Sequence, residues 1–427
     1  MIPAPHLVRE IRRWDLVGLG INFTVGAGIF GLPSTIYRLA GVGSPLTYVA
    51  CALAIMPIVL CYAEVGSRFE QTGGPYLYAR VAFGRTLGFE VGWLRWTSSI
   101  ASVSANTNLL ADYASYVVPA LGMGSGRVAL ISATIVVLTA VNVIGVRGSA
   151  RFSNALAVWK LVPLLVLLIM AIPLLDFSRL PASVQPGVRG FWTSVLLLTY
   201  AFSGFESIAI PAGESRNPTR DVPFALFMTL ALITILYTAI HLVCIGTVVN
   251  LEESTRPLAD VGTRVAGFAG GVLVSLTVLV SVVGNLHSHM LSMSRIVFAM
   301  AEHRQVPTFL SSVHPRFRTP LNSILLSAML VLIVALSGTF VRLVGISVLT
   351  RLMVYGATCA ALPRLRHQTD VPPPRFLLPL GANVAILALA VIALLASSGA
   401  TRDLLVFAAV AAVGLIAYAV LVMAGRW

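Results

Sequence analysis

Residues 18–33 read GLGINFTVGAGIFGLP, an apolar run with Gly26, Gly28 and Gly31 crowded near its middle. A helix facing lipid has no use for loosened backbone at mid-depth, because every freed amide or carbonyl there needs a polar partner. Residues 196–214, LLLTYAFSGFESIAIPAGE, repeat the pattern with Ser203-Gly204 at the centre and Pro211 beyond. These are the first and the sixth of the long apolar segments, five apart. Interrupted helices at matching positions of two five-helix halves point to a transporter site where inverted repeats meet. The plainer alternative is that the glycines only let helices pack closely.

The whole composition supports a membrane setting. Of 427 residues, 57% are hydrophobic and 11% charged, whereas a soluble domain sits near a quarter charged. A spanning helix needs about 20 largely apolar residues. Such windows fall at 15–40, 45–68, 90–118, 127–146, 153–175, 191–213, 224–249, 265–301, 321–338, 341–362, 376–397 and 403–425. The periodicity is helical, which excludes a membrane barrel. The expectation is an all-α integral membrane protein of twelve transmembrane helices. Residues 1–14 form a cytoplasmic tail, 15–175 a first repeat, 191–362 a second, and 376–425 the last two spans. Arg9, Arg12 and Arg13 before the first span imitate a secretory leader. That span runs on for about 25 residues without a small-residue cleavage site, so it is read as part of the mature chain.

A net charge of +13 invites a nucleic-acid reading, but its distribution argues for topology. With the N-terminus inside, seventeen arginines fall on cytoplasmic tails and loops and eight outside, as the positive-inside rule requires. Both termini are then cytoplasmic and the protein is a multi-pass protein of the cell membrane. The four cysteines lie inside spans without metal-ligand spacing, so neither a metal, a disulfide nor any cofactor is expected. No nucleophile–base constellation or nucleotide-binding glycine loop suggests an enzyme.

Four basic residues remain inside spans: Arg95, Lys160, Arg295 and Arg351. Lys160 is the only lysine in the chain. A charge at that depth costs a few kcal/mol. Arginine stays protonated at any relevant pH, whereas a buried lysine can release its proton. A site that alternates between charged and neutral can use the one and not the other. A static cation tethering span 5 to span 1 is the competing explanation.

The breaks carry their own chemistry. Free amides opening a half-helix hold a carboxylate, and free carbonyls closing one hold an ammonium group. One of each makes a receptor for a zwitterion.

Four stretches carry a family resemblance: GAGIFGLP at 26–33, YAEVGSRFEQTGGPYLYARVAFG at 62–84, FSGFESIAIPAGESRNPTRDVPFAL at 202–226 and SRIVFAMAEHRQVPTFLSSVHPRFRTP at 294–320. In this order and spacing the chain resembles the amino acid–polyamine–organocation superfamily. The resemblance implies a leucine-transporter-like bundle, two inverted five-helix repeats plus two peripheral helices, that moves amino acids by alternating access. It implies that the amides of Gly26, Ala27 and Gly28 bind the substrate carboxylate. Ala27 stands where many members have serine, which removes a hydroxyl but leaves the amides. Carbonyls near Thr24, Phe202 and Ser203 would take the ammonium group, and Tyr200 matches an aromatic that closes over the substrate. Asn106 in span 3 and His289 in span 8 fall where side-chain contacts are expected.

Lys160, with Pro163 and Leu164 behind it, is similar to a lysine that replaces the sodium ion relatives bind between spans 1 and 8. Ser281 and Asn285, with Ser288 and His289, share a broad face of span 8 that is expected to turn toward it. Glu206 follows the second break. Arg95 stands at the position that meets it at the cytoplasmic gate in relatives, where many have an aromatic, so a charged pair is a departure from the family. Arg351 is a second candidate partner. His287 and His289 are two residues apart and do not share a face, which argues against a metal site. Glu64, Arg68, Glu214, Arg216 and Arg220 read as loop anchors.

The reading is a proton-coupled amino acid permease whose partners are an amino acid, protons and the lipid bilayer, with no nucleic acid. Glu206 is the only acid near the breaks, so a neutral substrate is favoured over a dibasic one. An exchanger or uniporter in which Lys160 never titrates stays open, as does a non-transporting amino acid sensor, although the expected tails are short for one. No motif encodes the oligomeric state.

Overall fold

Once in the bilayer, a segment must satisfy its own backbone, and helices do so within themselves. The computed structural model describes residues 12–69, 74–144, 150–176, 187–206, 208 and 217–423. Among these residues the regular structure is helical throughout, with no strand. A helix stands in each of the twelve apolar windows. Six helical segments are long and apolar enough to cross a membrane by length and composition, and three further apolar helices are shorter.

The first window is not one helix. α1 (Arg13–Thr24) stops short of α2 (Ala27–Gly31), and α2 passes through Leu32 into α3 (Pro33–Ala40). There follow α4 (Ser44–Ser67), the short α5 (Pro75–Phe83), α6 (Arg85–Val117), α7 (Gly124–Ile144) and α8 (Ala150–Ala171). α9 (Val188–Ala201) ends at the second glycine-bearing stretch. Beyond it lie α10 (Pro218–Thr247), α11 (Pro257–Glu302), α12 (Leu321–Ser337), α13 (Phe340–Arg366), α14 (Gly381–Ser397) and α15 (Thr401–Met423). Pro33, Pro75, Pro218 and Pro257 open their helices, where a missing amide hydrogen costs nothing.

The helix α6 is the axis of the bundle, packed against α11, α12 and α13. Its serines explain how: Ser98 donates to the Ser347 carbonyl at 3.0 Å and Ser104 to the Val331 carbonyl at 3.0 Å. Small hydroxyl residues let helices approach and hydrogen-bond across the contact. At one end of the bundle, Glu64 is buried and bound by Arg68 at 3.2 Å, Arg366 at 2.5 Å and the Leu378 amide at 2.9 Å. That ties α4 to the end of α13 and the approach to α14, a loop-anchoring arrangement. Of the other anchors, Glu214 and Arg216 lie outside the described residues.

Candidate functional site

The first break is set by two extended residues, Val25 (φ −72°, ψ 90°) and Gly26 (φ −130°, ψ −156°). The last carbonyls of α1 and the first amides of α2 therefore have no partners inside their own helices. Leu32 is itself helical, so α2 and α3 continue one amide chain behind those free groups. In the second break, Gly204 takes φ +117°, a region that side chains avoid.

The two breaks press on each other through backbone. A Cβ added to Gly28 would lie 2.5 Å from the Ala201 Cα, and one on Gly204 would lie 2.6 Å from the Phe23 carbonyl oxygen. Tyr237 of α10 locks the junction, its hydroxyl 2.9 Å from the Thr24 carbonyl oxygen and 3.3 Å from that of Ala201.

A small pocket of about 20 Å³ sits at this junction. Thr24, Gly26, Ala27 and Gly28 line it from the first break, Tyr200 and Ser203 from the second. Asn106, Asn285, His289 and Arg351 close it from α6, α11 and α13. Eight of the nine residues expected to contact substrate thus surround one space. Phe202 is not among the lining residues, and its ring is buried against Tyr237 with centroids 5.5 Å apart; the expectation for it concerned the backbone carbonyl. A polar chain crosses the pocket wall. The Tyr200 hydroxyl donates to Asn106 Oδ1, and Asn106 Nδ2 donates to Asn285 Oδ1 at 2.9 Å. Asn285, expected beside the cation, belongs equally to the pocket.

A larger cavity of about 310 Å³ adjoins it and shares Phe23, Asn285, His289 and Arg351 with it. Lys160 lines this cavity, buried, with Nζ 3.5 Å from the Asn22 carbonyl at the end of α1. Ser281 lies one turn before Asn285, fully buried and outside the lining of either space. His287 turns elsewhere, with Nδ1 3.3 Å from Asn142 of α7.

Arg95, Glu206 and Arg351 all line the larger cavity. Arg95 Nη2 stands 3.8 Å from Glu206 Oε1, an ion-pair distance too long for a hydrogen bond. Glu206 Oε2 accepts from the Gly204 amide at 2.9 Å and the Tyr355 hydroxyl at 3.2 Å. Arg351 donates to Ser102 Oγ at 3.0 Å and lies 6.0 Å from the Tyr200 ring centroid.

Two broken helices meeting at a polar pocket inside an apolar bundle is an arrangement built to carry a solute. The sequence model of the amino acid permease family matches residues 11–425. The chain belongs to that family. A similar protein, an uncharacterized transporter of Mycobacterium tuberculosis, is 30% identical over 420 residues, 97% of this chain and 92% of its own. The serine/threonine exchanger of Bacillus subtilis is 28% identical over 397 residues, covering 90% and 89% of the two chains. The methylthioribose transporter of the same organism is 25% identical over 392 residues, 86% and 85%. These relatives are transporters, not enzymes, and this permease is a multi-pass membrane transporter of the amino acid–polyamine–organocation superfamily.

Among the residues of the permease site that escaped the sequence reading are Tyr237, Tyr355 and Ser102. Each lies in an apolar or small-residue run where a lone hydroxyl reads as packing. The usable signal was pairing. Tyr237 matters because it faces both breaks, and Tyr355 because it is one turn from Arg351.

Proposed function

We propose that this permease carries an amino acid across the cell membrane by alternating access, with the substrate head group seated where α1–α2 and α9 break. The carrying observation is the polar pocket at the meeting point of the two breaks. The amides of Gly26, Ala27 and Gly28 receive the carboxylate. Carbonyls of Thr24, Phe202 and Ser203 receive the ammonium group, and Tyr200, Asn106 and His289 shape the seat. About 20 Å³ accommodates little more than a water-sized group, so the rest of the substrate extends into the larger cavity.

In this reading the chain has twelve spans. Spans 1–5 and 6–10 form inverted repeats, spans 11 and 12 are peripheral, and both termini are cytoplasmic. Arg95, Glu206 and Arg351 form the inner gate. Lys160, with Ser281 and Asn285 behind it, stands in for a coupling cation, and its proton is the coupled one. The contact between Lys160 and the end of α1 supports that role. Exchange without proton coupling is the second reading, favoured by the similarity to a serine/threonine exchanger. Among the described residues Glu206 is the one acid at the breaks, which argues against a dibasic substrate.

The test is thermal stabilisation of the purified protein by each of the twenty amino acids, followed by proteoliposome uptake of those that stabilise. We expect uptake that an imposed inward proton gradient accelerates. Uptake only against preloaded amino acid, indifferent to the gradient, selects the exchanger. Stabilisation by none of the twenty removes the amino acid reading.

A further inference from the structure

Resting on the transport reading, we infer that the substrate is an acidic amino acid whose side-chain carboxylate pairs with Arg351. The charges of the two spaces carry this. The groups that titrate along their walls are Arg95, Lys160, Arg295, Arg351, His289 and Glu206. Among the described residues of these walls Glu206 is the single carboxylate; Arg95 is in ion-pair reach of it, and the Arg351 charge acts on it as well. Among the described residues no carboxylate comes within ion-pair reach of Arg351, Lys160 or Arg295.

Arg351 is the most demanding of these cations. It is 1% exposed, the largest fully buried side chain, and its Nε has no hydrogen-bond partner. Its hydrogen bonds run to neutral hydroxyls, those of Ser102 and Tyr355. A guanidinium keeps its charge at any working pH, and a buried cation that must share its counter-charge with another is costly in a low-dielectric interior. Arg351 and Arg95 share Glu206 as counter-charge, so this pair of guanidiniums is one anion short. Because it lines both the head-group pocket and the larger cavity, that anion lies within a few bonds of the substrate's head.

A neutral amino acid cannot supply it. Its own carboxylate and ammonium are both used at the breaks, so it leaves the cavity as cationic as it found it. A basic amino acid adds one more cation. A short dicarboxylic amino acid brings the missing charge, and a carboxylate is the planar acceptor that a guanidinium fork matches. A site built to bond a charged group also rejects the neutral isostere, which leaves that group unpaired.

The experiment is a thermal-shift titration of the full chain at constant pH with L-glutamate, L-aspartate, L-glutamine and L-asparagine, in chloride and in sulfate. We expect an acid to bind at least tenfold more tightly than its amide in both salts. Arg351→Gln should bring that ratio close to one by losing the acid, and Arg351→Lys should keep part of it. The wild-type ratio decides on its own if Arg351→Gln does not fold. Equal binding of acid and amide would mean that Arg351 takes the α-carboxylate or nothing, and would overturn the inference while leaving transport standing. Neutral amino acids binding only with chloride would overturn it too, the anion being inorganic. Binding by none of these four, nor by any other of the twenty amino acids, would remove the amino acid reading on which the inference rests.

Discussion

Gly26 and Gly28 stand two residues apart in the same break, and their surroundings differ. A Cβ on Gly28 would meet Ala201 Cα at 2.5 Å, which is backbone and can yield only if α9 moves away. A Cβ on Gly26 would meet Asn285 Nδ2 at 2.9 Å, the end of a side chain that can swing aside. Gly28→Ala is therefore an overpacking change, costing about 1–3 kcal/mol, and should lower the melting temperature and substrate affinity together. Gly26→Ala should melt close to wild type yet bind more weakly, because it displaces Asn285 from its bond to Asn106. Melting curves in detergent with and without substrate separate the two. A Gly26→Ala protein with intact affinity would argue that Asn285 takes no part in the seat. From the motif alone the glycines looked interchangeable, each one a gap in a helix. What distinguishes them is the neighbour each admits, and that neighbour lies about 170 to 260 residues away in the chain.

Breaks in helices were legible because glycine and proline punctuate an apolar run in a way lipid does not tolerate. Other features of the elements were not. The window for α11 opened at residue 265, because Arg256, Thr263 and Arg264 lower the local hydropathy; the helix begins at Pro257 and bends at Ala266–Gly267. At the other end of the site, Arg95 comes from α6 and Glu206 from the stretch after α9, a pairing taken from the family resemblance, since no spacing encodes it. The structure adds that Glu206 is held on its other oxygen by the Gly204 amide and Tyr355, so the 3.8 Å contact to Arg95 is the longest of these ties and the one without a hydrogen bond. A gate should yield there first. With Ser292→Cys in the larger cavity as reporter, Arg95→Gln and Glu206→Gln should each increase labelling by an impermeant maleimide added from the cytoplasmic face. The double variant should label little more than either single one, since residues that share one contact are not additive. Strictly additive gains would mean that the two side chains do not meet during the cycle.

At the scale of the molecule, composition and arginine distribution carried the class of protein, since both report on the bilayer and not on any one contact. The balance of charge inside the cavity was not readable, because it depends on which of the intramembrane cations share a wall. Lys160 is where this balance meets the cycle. It sits on α8, touches the last turn of α1 and lines a cavity shared with Asn285 of α11, so its charge bears on three helices at once. If those helices rearrange between the two access states, adding or removing that proton changes the relative energy of the states, which is what coupling requires. Lys160→Ala should then lose transport while the amino acid still binds weakly. Lys160→Arg supplies a charge that cannot leave, so it should keep binding better than it keeps turnover, and its uptake should vary little between acid and alkaline external pH. The wild type should instead rise toward acid and respond to an imposed gradient. The measurement is uptake into proteoliposomes for all three proteins across external pH, using the amino acid that stabilises the wild type best. Should Lys160→Arg reproduce the wild-type pH profile, the residue is a fixed tether between α8 and α1, and the coupled proton must be carried by another group.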